Sequence, residues 1–288
     1  MNYEFDVKSL TAKVINFKDC TEKNIIVPDR ILYEGRDYVV TEIGDRSFKE
    51  CTSIQSIVIP SSVIKIGEFA FSGCRSLQDI VIPASVTEIG NGAFDGCTAL
   101  QSIEIPASVK KNGAYAFYGC TDLQSIVVSA NNPVYDSRDN SNAIIEIKSN
   151  KLVVGCRMTV IPESITEIGN NAFSGCSTLR YINIPESVKR IWGYAFSGLK
   201  NLKSIAILNL APPEYAESEY DIPDCYPPCL YVECFDINIA KCTLYIPQEA
   251  VEKYSTREPW CNFREIKGLE YNSFYQNGSK YIDKTIFQ

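Results

Sequence analysis

A motif that recurs with a period of 23 residues is the feature that most constrains the fold of this chain. It first reads SIVIPSSVIKIGEFAFSGCRSL at residues 56–77, and its Pro60 recurs as Pro83 and Pro106, each 23 positions after the one before. Further copies begin at residues 158 and 181. A fixed period of about 20–50 residues is typical of a solenoid, a propeller or an array. This repeat is too short for a propeller blade or a two-helix unit, so we predict a solenoid with one coil per repeat.

The order of side chains within a repeat predicts the path of one coil. A short strand should turn Ile80 inward and Val81 outward, and Pro83, which cannot donate to a sheet ladder, should end it. Gly90 is expected to allow a tight turn, and a helical or 3₁₀ turn is expected around residues 93–94 on the convex side. The other inward positions should be Leu77, Ile82, Val86, Ile89, Phe94 and Cys97. Such a coil buries its open faces only by stacking on its neighbours.

The repeat pattern divides the chain into a solenoid with a cap at either end. Residues 1–24 should form an N-terminal cap hairpin, residues 25–247 the solenoid, and residues 248–288 a C-terminal cap and tail. Segments 130–158 and 209–241 break the period and are predicted insertions. Parallel strands of one continuous sheet are expected to centre near residues 26, 58, 81, 104, 127, 160, 183, 205 and 245.

Charge and composition argue against several classes of function. The net charge of −7 provides no basic surface, so neither nucleic acid nor an anionic membrane is an expected partner. The chain has no histidine, which rules out Ser-His-Asp triads, Cys-His dyads and Cys/His zinc fingers. No apolar run approaches the roughly 18 residues of a membrane span. We therefore expect no enzymatic activity, no cofactor and no membrane span.

A series of cysteines lies at one phase of the repeat and should stack into a ladder. Buried reduced thiols are one explanation, because cysteine behaves as a small hydrophobic residue. Disulfides between adjacent coils, or a redox or metal role, are the alternatives. The series comprises Cys51, Cys74, Cys97, Cys120 and Cys176.

A second group of cysteines falls within and just after the second predicted insertion. Four thiols this close together can bind zinc tetrahedrally. However, the paired CxxC knuckles of a zinc ribbon are missing, so disulfides and free thiols stay open as alternatives. The group comprises Cys225, Cys229, Cys234 and Cys242.

The unit IPxSVxxIGxxAFxGCxxL resembles the BspA-type, or Treponema-like, leucine-rich repeat over about residues 25–266. The resemblance implies an α/β solenoid: a right-handed superhelix with a parallel concave sheet and short helical or 3₁₀ turns on the convex side. It also implies kinship with surface-exposed or secreted proteins of host-associated anaerobic bacteria and some protists, several of them implicated in adhesion. It brings no catalytic residue. Asn112, Trp192 and Leu199 depart from the pattern at the positions of Ile89, Gly90 and Cys97.

The outward positions of the predicted concave sheet form the candidate binding site. A contiguous exposed apolar patch usually marks an interaction surface, although valine also simply favours strands. We expect the centre near Tyr181 and Asn183, because aromatic anchors dominate interface energetics. The partner should be a protein or glycan macromolecule, and the chain a monomer. The stripe comprises Val81, Glu104, Val127, Val160, Tyr181, Asn183 and Tyr245.

Two hypotheses remain for the location and the function of the protein. The start MNYEFDVKSL has neither the basic region nor the apolar region of a signal peptide. This fits a cytosolic protein or a mature chain whose signal was removed. The preferred hypothesis is a secreted or surface-exposed binding protein. Its rival is an intracellular scaffold or metal-dependent regulator that uses the 225–242 cysteines.

Overall fold

The computed structural model describes residues 1–17, 20–216, 237–269, 275–276 and 279–280. The chain forms two units. The first comprises Met1–Ser137, Asn142–Ile147 and Cys156–Met158. The second comprises Arg138–Ser141, Lys148–Gly155 and Thr159–Gln288. Each unit contains parallel sheets and buried apolar residues of its own.

Fourteen strands belong to the first unit. Most are short, because each repeat contributes two brief extended segments separated by turns. They are β1 Asn2–Asp6, β2 Thr11–Ile15, β3 Asn24–Ile26, β4 Arg30–Tyr33, β5 Arg36–Ile43, β6 Ser56–Val58, β7 Lys65–Ile66, β8 Asp79–Ile80, β9 Glu88–Ile89, β10 Ser102–Ile105, β11 Lys111–Asn112, β12 Ser125–Val128, β13 Tyr135–Asp136 and β14 Ala143–Glu146.

The strands at the start of the repeats form two parallel groups at the predicted positions, and together we call them the first sheet of this unit. β3, β6 and β8 pair in parallel, and so do β10 and β12. The prediction of one continuous sheet is wrong here, because no strand ladder joins β8 to β10 within this fully described stretch. β8 is only two residues long, and coil-to-coil bonding continues there through the Gln101 N–H, which donates to the Gln78 carbonyl at 3.2 Å.

A second sheet, which the sequence analysis did not predict as strands, runs along another side of the same coils. β2, β5, β7, β9 and β11 pair in parallel, starting from the predicted hairpin of β1 and β2. Its strands come from the segment that ends in Ile66 and Ile89, which point inward as predicted. β4 adds an antiparallel hairpin to β5, and β13 pairs antiparallel with β14.

A column of stacked phenylalanines fills the core of the first unit. The rings of Phe48, Phe71, Phe94 and Phe117 lie 5.3–5.4 Å apart between neighbouring centroids, with interplanar angles of 6–10°. Every inward position predicted for the coil that begins at Leu77 is buried. Stacking of identical coils therefore provides the apolar contacts that one coil alone lacks.

The predicted helical or 3₁₀ turn around residues 93–94 is not formed. Residues 91–96 are instead a run of hydrogen-bonded turns, in which the Ala93 N–H donates to the Gly90 carbonyl and the Asp95 N–H to the Gly92 carbonyl. Gly92 and Gly96 both have positive φ, at 58° and 68°. Two left-handed residues per coil interrupt any right-handed helix at this phase.

Gly90 has a different role from the predicted one. It is not among the residues with positive φ. A Cβ atom at this position would lie 2.6 Å from the Glu68 nitrogen and the Gly67 carbonyl carbon of the preceding coil. The same clash recurs at Gly67 and Gly113. Close approach of two backbones, rather than backbone conformation, therefore requires glycine here.

The described residues of the second unit form ten strands, one α-helix and four 3₁₀ segments. The strands are β15 Lys151–Gly155, β16 Glu167–Ile168, β17 Tyr181–Ile184, β18 Arg190–Trp192, β19 Ser204–Ile207, β20 Glu214–Ala216, β21 Thr243–Pro247, β22 Glu265–Leu269, β23 Tyr275–Gln276 and β24 Ser279–Lys280. The helix is α1 Val251–Ser255, and the 3₁₀ segments are Arg138–Asn140, Ile237–Lys241, Gln248–Ala250 and Trp260–Asn262.

Two parallel arrays order these strands. β17, β19, β21 and β22 form one sheet, and β15, β16, β18 and β20 are neighbours in another. The strand predicted near residue 160 is absent from this described stretch, because the Val160 N–H donates to the Ser141 carbonyl at 3.0 Å instead of to a ladder. β22, which contains Ile266, pairs in parallel with β21 and extends the sheet beyond it.

Aromatic residues close the core beyond β21. Tyr254, Trp260 and Phe263 are buried, and the Tyr254 and Trp260 rings meet edge to face at 5.7 Å. β23 and β24, on either side of Asn277–Gly278, pair antiparallel, and Asn-Gly is typical of a hairpin turn. The turn residues themselves lie outside the described part of the chain.

We predict that Gly90→Ala lowers the free energy of unfolding by about 3 kcal/mol, because the new methyl group forces two backbones apart. Gly96→Ala is the matched control. Its Cβ would have no neighbour closer than 3.8 Å, so only the strain of positive φ, about 1–2 kcal/mol, is expected. Urea denaturation of the whole chain measures both. Equal effects would show that close approach is not the limiting constraint.

Candidate functional site

The outward side chains of β3, β6, β8, β10 and β12, with Val81 directly after β8, form a surface that we call the first-sheet face. Its exposed apolar residues are Ile26 at 72% exposed, Val58 at 57%, Val81 at 79% and Val127 at 47%. Parallel register places Ile26 opposite Val58 and Glu104 opposite Val127. Three predicted site residues, Val81, Glu104 and Val127, are thus outward and exposed in one unit.

The charged residues of this face are both acidic. The outward positions of its strands carry Asp79 and Glu104, and otherwise Asn24, serines and the apolar residues just given. Both carboxylates are exposed. Within the described residues, neither takes part in a hydrogen bond or an ion pair. The face is therefore an apolar surface with negative charge and no cation of its own.

A cavity lies where the ladder between β8 and β10 is missing. Its volume is about 650 Å³. Asp79, Ser102, Glu104 and Ser129 provide its polar groups. Its apolar lining consists of Ile80, Val81, Ile82, Ala84, Pro106 and Ala107. Strand alternation places Asp79 outward, but the sequence does not predict this cavity, because the loss of one ladder between similar repeats has no signal in the repeat pattern.

The predicted residues of the second unit are only partly brought together. Tyr181, at 44% exposed, and Asn183 lie on the outward side of β17. Their partners across the ladder, Ser204 and Ala206 on β19, are buried. The row of exposed outward side chains therefore ends at β17, because the outward residues of β19 are covered. Tyr245 on β21 is half-buried, with the Lys267 Nζ 5.9 Å from its ring centroid.

Val160 is 66% exposed but lies outside any strand. The centre predicted from the sequence combines Tyr181 and Asn183 of the second unit with Glu104 and Val127 of the first. That combination stays a prediction.

The thiol series has a structural basis that the sequence did not reveal. Three consecutive ladder thiols donate to the carbonyl of a phenylalanine in the preceding coil: Cys74 to Phe48 at 3.1 Å, Cys97 to Phe71 at 3.2 Å and Cys120 to Phe94 at 3.2 Å. The same carbonyls accept the N–H of the cysteine three residues onward, as Cys51 to Phe48 and Cys74 to Phe71 show. The thiol thus satisfies a second lone pair on a buried oxygen.

Burial determines the chemistry of these thiols. Desolvation raises the pKa of the Cys74 and Cys97 thiols well above the ordinary value, and the thiol of the next coil adds to the shift in each case. Both therefore stay protonated at neutral pH, and a thiolate is the form that attacks or binds metal. Cys51, Cys74, Cys97 and Cys120 are buried and form no disulfide. Cys176 is only half-buried, and its acceptor is Gly155 at 3.7 Å instead of a phenylalanine.

The alternative metal site is largely beyond the described residues. Cys225, Cys229 and Cys234 lie outside them. Cys242 is fully buried, and its thiol donates to the Leu202 carbonyl at 2.9 Å. Within the described ranges, no group of three or more His, Cys, Asp or Glu residues is placed to hold a metal ion.

Three carboxylates, one each on β1, β9 and β16, form ion pairs within the chain. In the first unit Lys111 Nζ lies 2.7 Å from Glu88 Oε1, and Lys13 Nζ lies 2.6 Å from Glu4 Oε2. In the second unit Glu167 accepts from Arg190 and from the Trp192 indole, both at 2.8 Å. Glu88 and Glu167 are therefore members of ion pairs.

In the part of the chain that the structure describes, the α-helical segment is too short and too polar to cross a bilayer.

We predict that Cys97→Ser lowers the free energy of unfolding by about 1–3 kcal/mol, because a more polar group is buried and its shorter C–O bond fits the Phe71 carbonyl less well. Cys97→Ala should cost less. Cys261→Ser, at an exposed cysteine, is the control and should change stability by less than about 0.5 kcal/mol.

Thiol labelling followed by mass spectrometry provides an independent test. Cys261 should react in the native protein, whereas Cys74, Cys97 and Cys120 should react only after denaturation. A Cys74–Cys97 or Cys97–Cys120 disulfide would refute the reduced ladder.

Comparisons with known proteins identify the family. The model of the BspA type leucine rich repeat region matches residues 41–147 and 153–212, in six copies. A leucine-rich repeat protein of Eubacterium ventriosum is 20% identical, over 82% of this chain and 65% of that one, with a TM-score of 0.53. The leucine rich repeat protein of T. pallidum is 25% identical, over 77% and 88% of the two chains, with a TM-score of 0.47.

A leucine rich cell surface protein of Faecalibacterium prausnitzii is 21% identical over 94% of this chain and 93% of that one, with a TM-score of 0.39. No curated protein is a significant match. The family model covers more than half of the residues, and its repeats coincide with the coils described above. The chain belongs to the BspA-type leucine-rich repeat family.

Proposed function

We propose that this chain is a non-enzymatic interaction protein that binds a protein partner through the first-sheet face of its first unit. The observation that supports the proposal is the exposure of four β-branched side chains on one face: Ile26 and Val58 are opposite each other on β3 and β6, Val81 follows β8, and Val127 on β12 is opposite Glu104. Burying such a side chain fully is worth about 1.5–3 kcal/mol. An apolar surface of this kind marks an interaction site more often than chance.

A protein is favoured over a glycan by the chemistry of this face. Aliphatic side chains provide no hydrogen bonds to sugar hydroxyls, and hydroxyl groups that lose water without a new partner weaken binding. Leucine-rich coils also present extended surfaces better suited to a macromolecule than to a small substrate. Among the ladder thiols, Cys74 and Cys97 have raised pKa values, which favours a structural role over a catalytic one.

Three finer features belong to the same proposal. We take the solenoid to be a right-handed superhelix with the first sheets on its concave side, as the family resemblance implies. We take residues 1–24 and 248–288 to be caps around the solenoid at 25–247. We also propose that the protein acts at a bacterial surface or after secretion. Surface proteolysis of intact cells that express it should remove it, whereas protection until lysis would contradict this location.

We predict that Val81→Asp weakens binding by at least about tenfold, because a charge is placed where apolar contact is expected. The probe is a peptide selected against the whole chain from a phage-displayed library, and the measurement is its Kd by fluorescence anisotropy. Ile64→Asp is the matched control, since Ile64 is 52% exposed but lies outside the first sheet. Loss of binding in the control alone, or in neither variant, would contradict the proposed face.

In the second unit, Tyr181 with Asn183 is proposed as a further contact, together with Val160 and Tyr245, the other second-unit members of the predicted stripe. Tyr181→Ala should change stability by less than about 0.5 kcal/mol and weaken binding of the selected peptides by more than about 1 kcal/mol. If Tyr181→Ala leaves binding unchanged while Val81→Asp abolishes it, the first unit alone carries the site.

The rival hypothesis of a metal-dependent regulator has its own test. The test measures zinc in protein purified without chelator. If zinc is present, and if both zinc and binding are lost when Cys225 and Cys229 are changed to serine, the binding site is the cysteine segment and not the first-sheet face. We expect no stoichiometric zinc.

A further inference from the structure

The cavity between β8 and β10 presents two carboxylates that the described part of the chain leaves without an ion-pair partner. Asp79 and Glu104 both line it and are both exposed. The outward positions of the first-sheet strands include no lysine or arginine. A cationic group entering the cavity would therefore meet no competing cation on this face.

The second sheet of the same unit shows that these coils can pair their own carboxylates. Glu88 and Glu4 each have a lysine within 2.7 Å on a neighbouring strand. Short parallel strands pair Glu88 with Lys111 on this side of the coils, whereas Asp79 and Glu104 on the first-sheet face have no ion-pair partner among the described residues. The unpaired carboxylates coincide with the exposed valines and the cavity.

The apolar lining of the cavity suits the stem of a long basic side chain. Val81, Ala84, Pro106 and Ala107 line it beside the carboxylates. Lysine and arginine bury their methylene groups along apolar surface while the charged head stays in a polar environment. The apolar lining therefore suits the methylene stem of such a side chain, and the two carboxylates suit its charged head.

The coils stay stacked at the gap in the ladder. β8 and β10 belong to separate sheets, but the Gln101 N–H donates to the Gln78 carbonyl of the preceding coil. A ligand therefore lies on the outward surface of the two coils, and an extended segment there directs alternate side chains toward the cavity.

We infer that the occupant of this cavity is an extended peptide segment with a lysine or arginine beside apolar residues. Its ammonium or guanidinium group lies near Asp79 and Glu104, and its stem lies on Val81. The inference rests on the proposed function, because it assigns a partner chemistry to the same face.

The test uses three fluorescein-labelled synthetic peptides of equal length and the whole protein. In the first, lysine alternates with valine and threonine. In the second, glutamate replaces each lysine, and in the third, glycine replaces each valine. The protein variants are the double variant Asp79→Asn with Glu104→Gln, and the control Glu50→Gln with Asp122→Asn. Glu50 and Asp122 are exposed acidic residues of the same unit that lie outside the first-sheet strands.

The lysine–valine peptide should bind the wild type more tightly than either other peptide, as fluorescence anisotropy measures. The double variant should bind it about tenfold more weakly, whereas the control should change its Kd less than about twofold. Added NaCl should reduce the difference, because exposed charges are screened. Thermal unfolding should confirm that both variants are folded.

Three results would overturn the inference. Equal weakening by the control would assign binding to the overall charge of −7. Equal binding of the lysine and glutamate peptides, with sensitivity to Val81→Asp alone, would keep the proposed face and reject the basic partner. Binding of none of the peptides, together with selected phage peptides insensitive to Val81→Asp, would reject both.

Discussion

The close approach of backbones at one glycine per coil is the constraint on which stacking in the first unit depends. At Gly67, Gly90 and Gly113 a Cβ atom would lie within 2.7 Å of the preceding coil. Only this approach lets the second-sheet strands pair and brings the phenylalanine rings to 5.3–5.4 Å. It also brings each ladder thiol within reach of a carbonyl one coil away. Sheet, aromatic column and thiol ladder are therefore consequences of one spacing.

The repeat allows the path of one coil to be predicted, but it contains no information on how one coil differs from the next. The inward residues, the parallel strands and the buried cysteines of the first unit follow from the 23-residue pattern, because identical side chains at one phase must stack. The second sheet was missed, since strands of two residues such as Lys65–Ile66 leave almost no alternation. The turn at residues 91–96 was assigned as helical because local sequence does not report that Gly92 and Gly96 adopt positive φ.

The candidate site was only partly predictable for the same reason. Outward positions such as Val81 and Glu104 follow from strand alternation. The missing ladder beside Asp79 does not, because β8 ends after two residues although its sequence follows the same pattern as the other repeats. Ala206 shows the opposite error: alternation places it outward, yet it is fully buried. Exposure at a sheet position depends on what packs over the strand, and the period of the repeat contains no information about that.

The two sheets of the first unit divide their chemical roles. On the second sheet, lysine–glutamate pairs between strands satisfy charge within the chain, and such exposed pairs add at most about 1 kcal/mol each. On the first sheet, apolar side chains and unpaired carboxylates leave both burial and charge neutralisation to a partner. Stability alone does not require four exposed β-branched residues on that side, because the core already lies beneath the strands. Complementarity to an extended basic and apolar peptide provides a physical reason for the combination.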